Sequence, residues 1–101
     1  MFSVFGELII NIKIMPKGKV KEVIDGDTVK LPYNKFIRLA GVNAPEKNQK
    51  GGAVAKHKLE ELVSNKTISY TEDAKSYGRT VGKIKVGGKD INKAMNNFLK
   101  K

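Results

Sequence analysis

Two arginines stand apart in a chain whose other basic residues are all lysine. They are Arg38 and Arg79, set against 18 lysines in 101 residues. A guanidinium is a planar fork that grips a phosphate through two parallel hydrogen bonds, which an ammonium cannot do. Arg38 lies in IRLAGVNAPE, residues 37–46, between Ile37 and Leu39 of what reads as an apolar strand. An unpaired charge in such a strand is costly to bury, so Arg38 asks for a partner or a ligand. The stretch ends in Asn43, Ala44, Pro45 and Glu46, which puts an amide and a carboxylate at the strand's mouth. Upstream, IDGDT (24–28) sets Asp25 and Asp27 around a glycine; downstream, YGR (77–79) delivers the second arginine. Blander readings exist for most of these residues. The two aspartates suit a hairpin turn, Glu46 a loop, and Tyr77 simple packing, but Arg38 resists one.

The elements that must position these groups can be read from patterning. Residues 19–24, 28–32 and 35–42 are short β-like runs, the first two separated by Asp25-Gly26-Asp27, the third ended by Pro45. After Gly51-Gly52, Ala55, Leu59, Leu62 and Val63 recur at i, i+4, i+7 and i+8, the stripe of an amphipathic helix. Residues 66–72 and 79–86 read as two further strands. Asp90 suits the N-cap of a last helix over roughly 92–100. Five strands, with one helix inserted after the third and a short one at the end, predict a mainly β protein with helices (α+β). The architecture expected is a five-stranded Greek-key barrel of the OB type, with a generic α+β sandwich as the other arrangement the pattern admits.

Composition narrows the classes of function. The chain has the length of one small domain and no cysteine, which excludes disulfides and thiolate chemistry. A formal charge of +10 favours a polyanionic partner such as nucleic acid, or an anionic surface. Lys47, Lys50, Lys56 and Lys58 read as a solvated basic face that attracts phosphates without reading sequence, and His57 as a solvent-facing residue among them. There is no apolar run long enough to span a membrane. The N-terminal stretch MFSVFGELIINIKIM lacks a basic n-region and a small-residue cleavage site. It reads as an extra strand over 4–14, in an extension of residues 1–15 before a domain at 16–101, and this favours the cytoplasm over secretion.

Taken together, IDGDT, IRLAGVNAPE and YGR, in this order with a helix between the second and third, resemble the staphylococcal-nuclease-like (thermonuclease) family over about residues 18–99. The resemblance implies an OB barrel and calcium-dependent hydrolysis of DNA and RNA phosphodiesters, leaving 5′-hydroxyl and 3′-phosphate ends. It places Arg38, Glu46 and Arg79 on catalytic positions, Asp27 on a calcium ligand and Ala44 on a carbonyl donor to the metal. Asn43 falls where the family usually has a second calcium-ligating aspartate, and Tyr77, with Lys75 near it, falls on the substrate-binding side. Calcium prefers several oxygen donors, so this set suits it chemically. A neutral amide at position 43 implies weaker calcium binding, since affinity follows ligand charge.

The chain also stops after the second helix, where the family continues with a third, so it reads as a short member with a truncated end. The N-terminal strand would then cover exposed apolar surface, within the chain or across a homodimer. The competing function is a non-catalytic nucleic-acid-binding OB module with a weakened metal site. A structural or membrane-surface protein accounts for the charge but for none of the motifs.

Overall fold

The computed structural model describes residues 15–100. The strand expected over 4–14, and any dimer formed through it, lie outside the described residues. Among the described residues, nine short strands and two helices follow one another: β1 (Lys17–Lys19), β2 (Glu22–Asp25), β3 (Thr28–Leu31), β4 (Lys35–Leu39), α1 (Gly52–Val63), β5 (Thr67–Tyr70), β6 (Ala74–Ser76), β7 (Arg79–Gly82), β8 (Ile84–Val86), β9 (Lys89–Asp90) and α2 (Ile91–Leu99).

They form a four-stranded sheet, β1-β5-β8-β9, and a five-stranded sheet, β2-β3-β4-β7-β6. Besides the β4-to-β5 connection through α1, three short links pass directly from one sheet to the other: β1 to β2, β5 to β6, and β7 to β8. Counting each of these linked pairs as one bent strand leaves six, the five expected and the two-residue β9 that pairs with β8; β4 and β7 pair parallel and the other ladders are antiparallel. This is the OB arrangement, built as two sheets sharing bent strands and not as one continuous closed ladder.

The bends explain where the sequence reading and the structure differ. Residues 79–86 are interrupted at Lys83, whose carbonyl accepts from the Thr71 amide at 3.0 Å while its own amide donates to Thr71 Oγ1 at 2.9 Å. Thr80, Gly82 and Ile84 still point inward across the break, so alternation continues and hides it. Residues 19–24 are likewise divided around the buried Val20, and the third strand ends at Leu39 although Val42 is buried just beyond.

Ile37 and Leu39 of β4 are wholly buried, with Val29 and Leu31 of β3 beside them, so Phe36 and Arg38 take the outer face. α1 closes the core with Ala55, Leu59 and Val63, and α2 with Ile91 and Met95. Asp90 caps α2 by accepting from the Lys93 amide, as expected. Asn92 is a buried polar clamp that patterning does not reveal. Its Oδ1 accepts from the Ile84 amide at 2.9 Å, and its Nδ2 donates to the Ala40 and Gly82 carbonyls at 2.9 and 3.2 Å. It thereby ties the exit of β4 and the β7–β8 bend to one helix.

Candidate active site

The turn between β2 and β3 begins at an irregularity of register after Val23, and the Asp27 amide donates to Asp25 Oδ1 at 3.2 Å. Gly26 sits at its centre because nothing larger fits. A Cβ there would lie 2.6 Å from that of Ala55 on α1 and 2.7 Å from that of Ala44. This contact presses the turn against the mouth of β4, where the Leu39 amide donates to the Asp27 carbonyl at 2.8 Å.

Arg38 therefore meets Asp27. Its Nη2 lies 3.3 Å from Asp27 Oδ2 and donates to Asn43 Oδ1 at 3.0 Å, while Nη1 donates to the Leu39 carbonyl at 2.8 Å. Asp27 Oδ2 also accepts from the Ala44 amide at 3.0 Å, and Oδ1 from Thr28 Oγ1 at 3.1 Å. The partner that an arginine in an apolar strand requires is thus a nearly buried carboxylate, 7% exposed. Asp25 lies next to it, half-buried. Burial, and then the Asp27 carboxyl beside it, hold the Asp25 carboxyl above the usual carboxylate range.

Arg79 reaches the same face by another route. β6 and β7 are joined at Tyr77 and Gly78, with Ser76 opposite Arg79. Both turn residues are left-handed, at φ 52° and 79°, the pair a two-residue hairpin needs to match strand twist. In the parallel β4–β7 pair Arg38 stands opposite Val81, two residues on from Arg79. Both arginines accordingly project from the outer face of the five-stranded sheet. Arg79, Tyr77, Asp25, Thr28 and Phe36 line a groove of about 420 Å³ there. Tyr77 is 96% exposed at the hairpin tip, not packed on the barrel.

Glu46 is exposed in the loop before α1. Its amide donates to Gln49 Oε1 at 3.0 Å and its carbonyl accepts from the Gln49 amide at 2.9 Å. Gly52 opens α1 under that loop, and a Cβ there would fall 1.7 Å from the Glu46 carbonyl oxygen. The helix start thus fixes the glutamate's backbone. Of the expected residues, Asp27, Arg38, Asn43 and Ala44 are in direct contact, while Arg79 and Tyr77 share the neighbouring groove. Glu46 stands two residues past Ala44. Lys75 does not line the groove; its ammonium donates to Thr80 Oγ1 at 3.0 Å. Asp25, read as a turn residue, and Thr28, read as the start of a strand, border both parts of the site; the DGD spacing was the signal for Asp25. His57 is exposed beside Glu60 and Glu61 on α1, as expected of a solvent face.

The donors at the mouth suit a hard cation. Asp25, Asp27 and the Asn43 amide oxygen offer oxygen alone, with the Ala44 backbone held against them through its amide, and two aspartates against one arginine leave the cluster negative. Among the described residues no three His, Cys, Asp or Glu side chains converge, so any ion here would draw on the Asn43 amide oxygen as well.

A small barrel of bent strands with acidic and guanidinium groups at one mouth defines an OB-type domain. Comparison with known proteins places it more closely. The staphylococcal nuclease homologue family matches residues 36–97, and the chain belongs to that family. It is 35% identical over 72 residues to a protein named micrococcal nuclease from Shigella flexneri, covering 67% of this chain and 41% of that one. It is 34% identical over 83 residues to an uncharacterized endonuclease of Escherichia coli O157:H7, covering 77% and 54%. Protein ParB of Escherichia coli is 36% identical over 72 residues, covering 67% and 41%. The chain spans about half the length of these curated relatives.

Proposed function

We propose that this chain is a metal-dependent phosphodiesterase that hydrolyses DNA or RNA with little sequence preference, leaving 5′-hydroxyl and 3′-phosphate ends. The observation that carries the reading is the placement of Arg38 and Arg79 on one outer sheet face, with Arg38 already oriented by Asp27 and Asn43. Nuclease names among the relatives support the same class.

The two guanidiniums would hold the phosphodiester's non-bridging oxygens by forked hydrogen bonds and balance the charge that builds as a nucleophile adds. Glu46, at the solvent edge, would orient the attacking water and take its proton. The 5′-oxygen leaves as the alkoxide and is protonated from solvent, and the phosphate stays on the 3′ side. Tyr77 would contact the phosphate from the hairpin tip. Lys75 serves here through the field of its charge, since its ammonium is turned to Thr80. Asp27, Asn43 and the Ala44 carbonyl, backed by Asp25, are the residues that would hold calcium. Such an ion supplies charge neutralisation and an oriented water.

One specific observation favours a second reading, a nucleic-acid-binding module without catalysis. Asn43 carries no charge, and its oxygen is turned to Arg38. End-group analysis of oligonucleotides incubated with calcium or with a chelator separates the two. Calcium-dependent 3′-phosphate products are expected; binding with intact substrate in both conditions would establish the module instead.

A further inference from the structure

Two tyrosines, Tyr33 and Tyr77, are 100% and 96% exposed, and both sit on left-handed backbone, at φ 64° and 52°. A bulky aromatic residue there is strained, where glycine or asparagine would serve, and a ring in full solvent gains nothing from packing. Strain without an intramolecular return points to a use outside the fold. Tyr77 has one in the groove beside Arg79. Tyr33 belongs to no part of the site described above.

Tyr33 stands at the tip of the β3–β4 hairpin, next to Asn34. Asn34 lines the Arg79 groove, and Tyr33 lines a second groove of about 340 Å³ on the other side of the same tip. Lys17, Pro32, Lys35 and Tyr70 complete much of its lining. The two lysines differ. Lys35 is engaged by Glu72 at 2.6 Å and lies 5.6 Å from the Tyr70 ring centre. Lys17 is exposed and has no carboxylate within ion-pair distance among the described residues. The second groove therefore offers a fully exposed ring, a proline face and an exposed ammonium, bordering the Arg79 groove at one hairpin.

We propose that the second groove is an extension subsite for single-stranded nucleic acid. Resting on the phosphodiesterase reading, it takes the strand across the Tyr33-Asn34 tip, stacks a base on Tyr33 and meets a flanking phosphate with Lys17. Stacking accepts any base, because every base has a π-face, and so the subsite adds affinity with strand length and not with sequence.

Fluorescence anisotropy in chelator, on the full chain, tests this with a single-stranded DNA of about 12 nucleotides against a trinucleotide. Tyr33→Asn keeps a residue that tolerates the left-handed turn, so thermal stability is expected to hold. Its long-to-short affinity ratio is expected to fall about tenfold, the loss of one stacked base. Lys17→Glu is expected to lower that ratio more than Lys93→Glu, a charge reversal of the same size on exposed α2 surface. A ratio unmoved by Tyr33→Asn, or moved equally by the two lysine reversals, overturns the subsite. Cleavage of the trinucleotide on adding calcium reports the parent reading separately: its absence removes catalysis and leaves the subsite to stand on the ratio.

Discussion

At position 43 an amide holds Arg38 from one side while Asp27 holds it from the other. Replacing the amide by a carboxylate would add a negative charge at the oxygen-lined mouth and strengthen both the pull on Arg38 and the attraction for a divalent ion. Asn43→Asp is therefore expected to tighten calcium binding in calorimetry and to lower the calcium concentration that half-saturates cleavage; an unchanged calcium dependence would count against a cation at these oxygens. Asp25 makes a different statement. Its carboxyl is held above the ordinary range chiefly by burial and then by Asp27. A raised carboxylate contributes no penalty while protonated in both states and costs stability once pH rises through its folded value. Asp25→Asn is thus expected to raise Tm relative to the native chain at pH 7 without metal, with the gain shrinking as pH falls into the acid range. That Arg38 needs a partner was legible from its type and place, because a lone guanidinium in an apolar strand has few bland explanations. That Asp27 would be its partner was not, because nothing in a local pattern says which turn meets which strand end.

Elements hold these residues in place through two close approaches and one buried amide. Gly52 allows α1 to start beneath the Glu46 carbonyl. Gly52→Ala forces that loop outward, and a cost of about 1–3 kcal/mol is expected by analogy with overpacking, together with a loss of cleavage rate larger than the loss of substrate affinity. Asn92 satisfies two carbonyls and an amide at the bend between sheets. Asn92→Leu strips partners from buried backbone groups, and roughly 2–4 kcal/mol of destabilisation is expected in chemical unfolding; a loss under half of that would show that water replaces the amide. Helix periodicity and the inward alternation of the strands were readable from sequence. The sheet-to-sheet bends were not, since alternation runs unbroken through Lys83. β6, with the sequence Ala-Lys-Ser and no buried residue, has no apolar signature at all, and its pairing with β7 is what makes it a strand.

Over the whole molecule the charge of +10 favours a polyanionic partner; on the proposed reading it would supply long-range attraction for nucleic acid, and the two arginines and Glu46 would decide what happens on contact. Binding is expected to weaken steeply with added salt, by the release of counterions from each neutralised phosphate, whereas the cleavage rate of bound substrate is expected to change little. The most direct test is single-turnover cleavage of a short oligonucleotide in saturating calcium, comparing the native chain with Glu46→Ser and Arg79→Ala. The expected result is a rate lowered by about 100-fold or more in each variant, with binding retained in Glu46→Ser. Equal rates in all three proteins would contradict a catalytic site built from Arg38, Glu46 and Arg79.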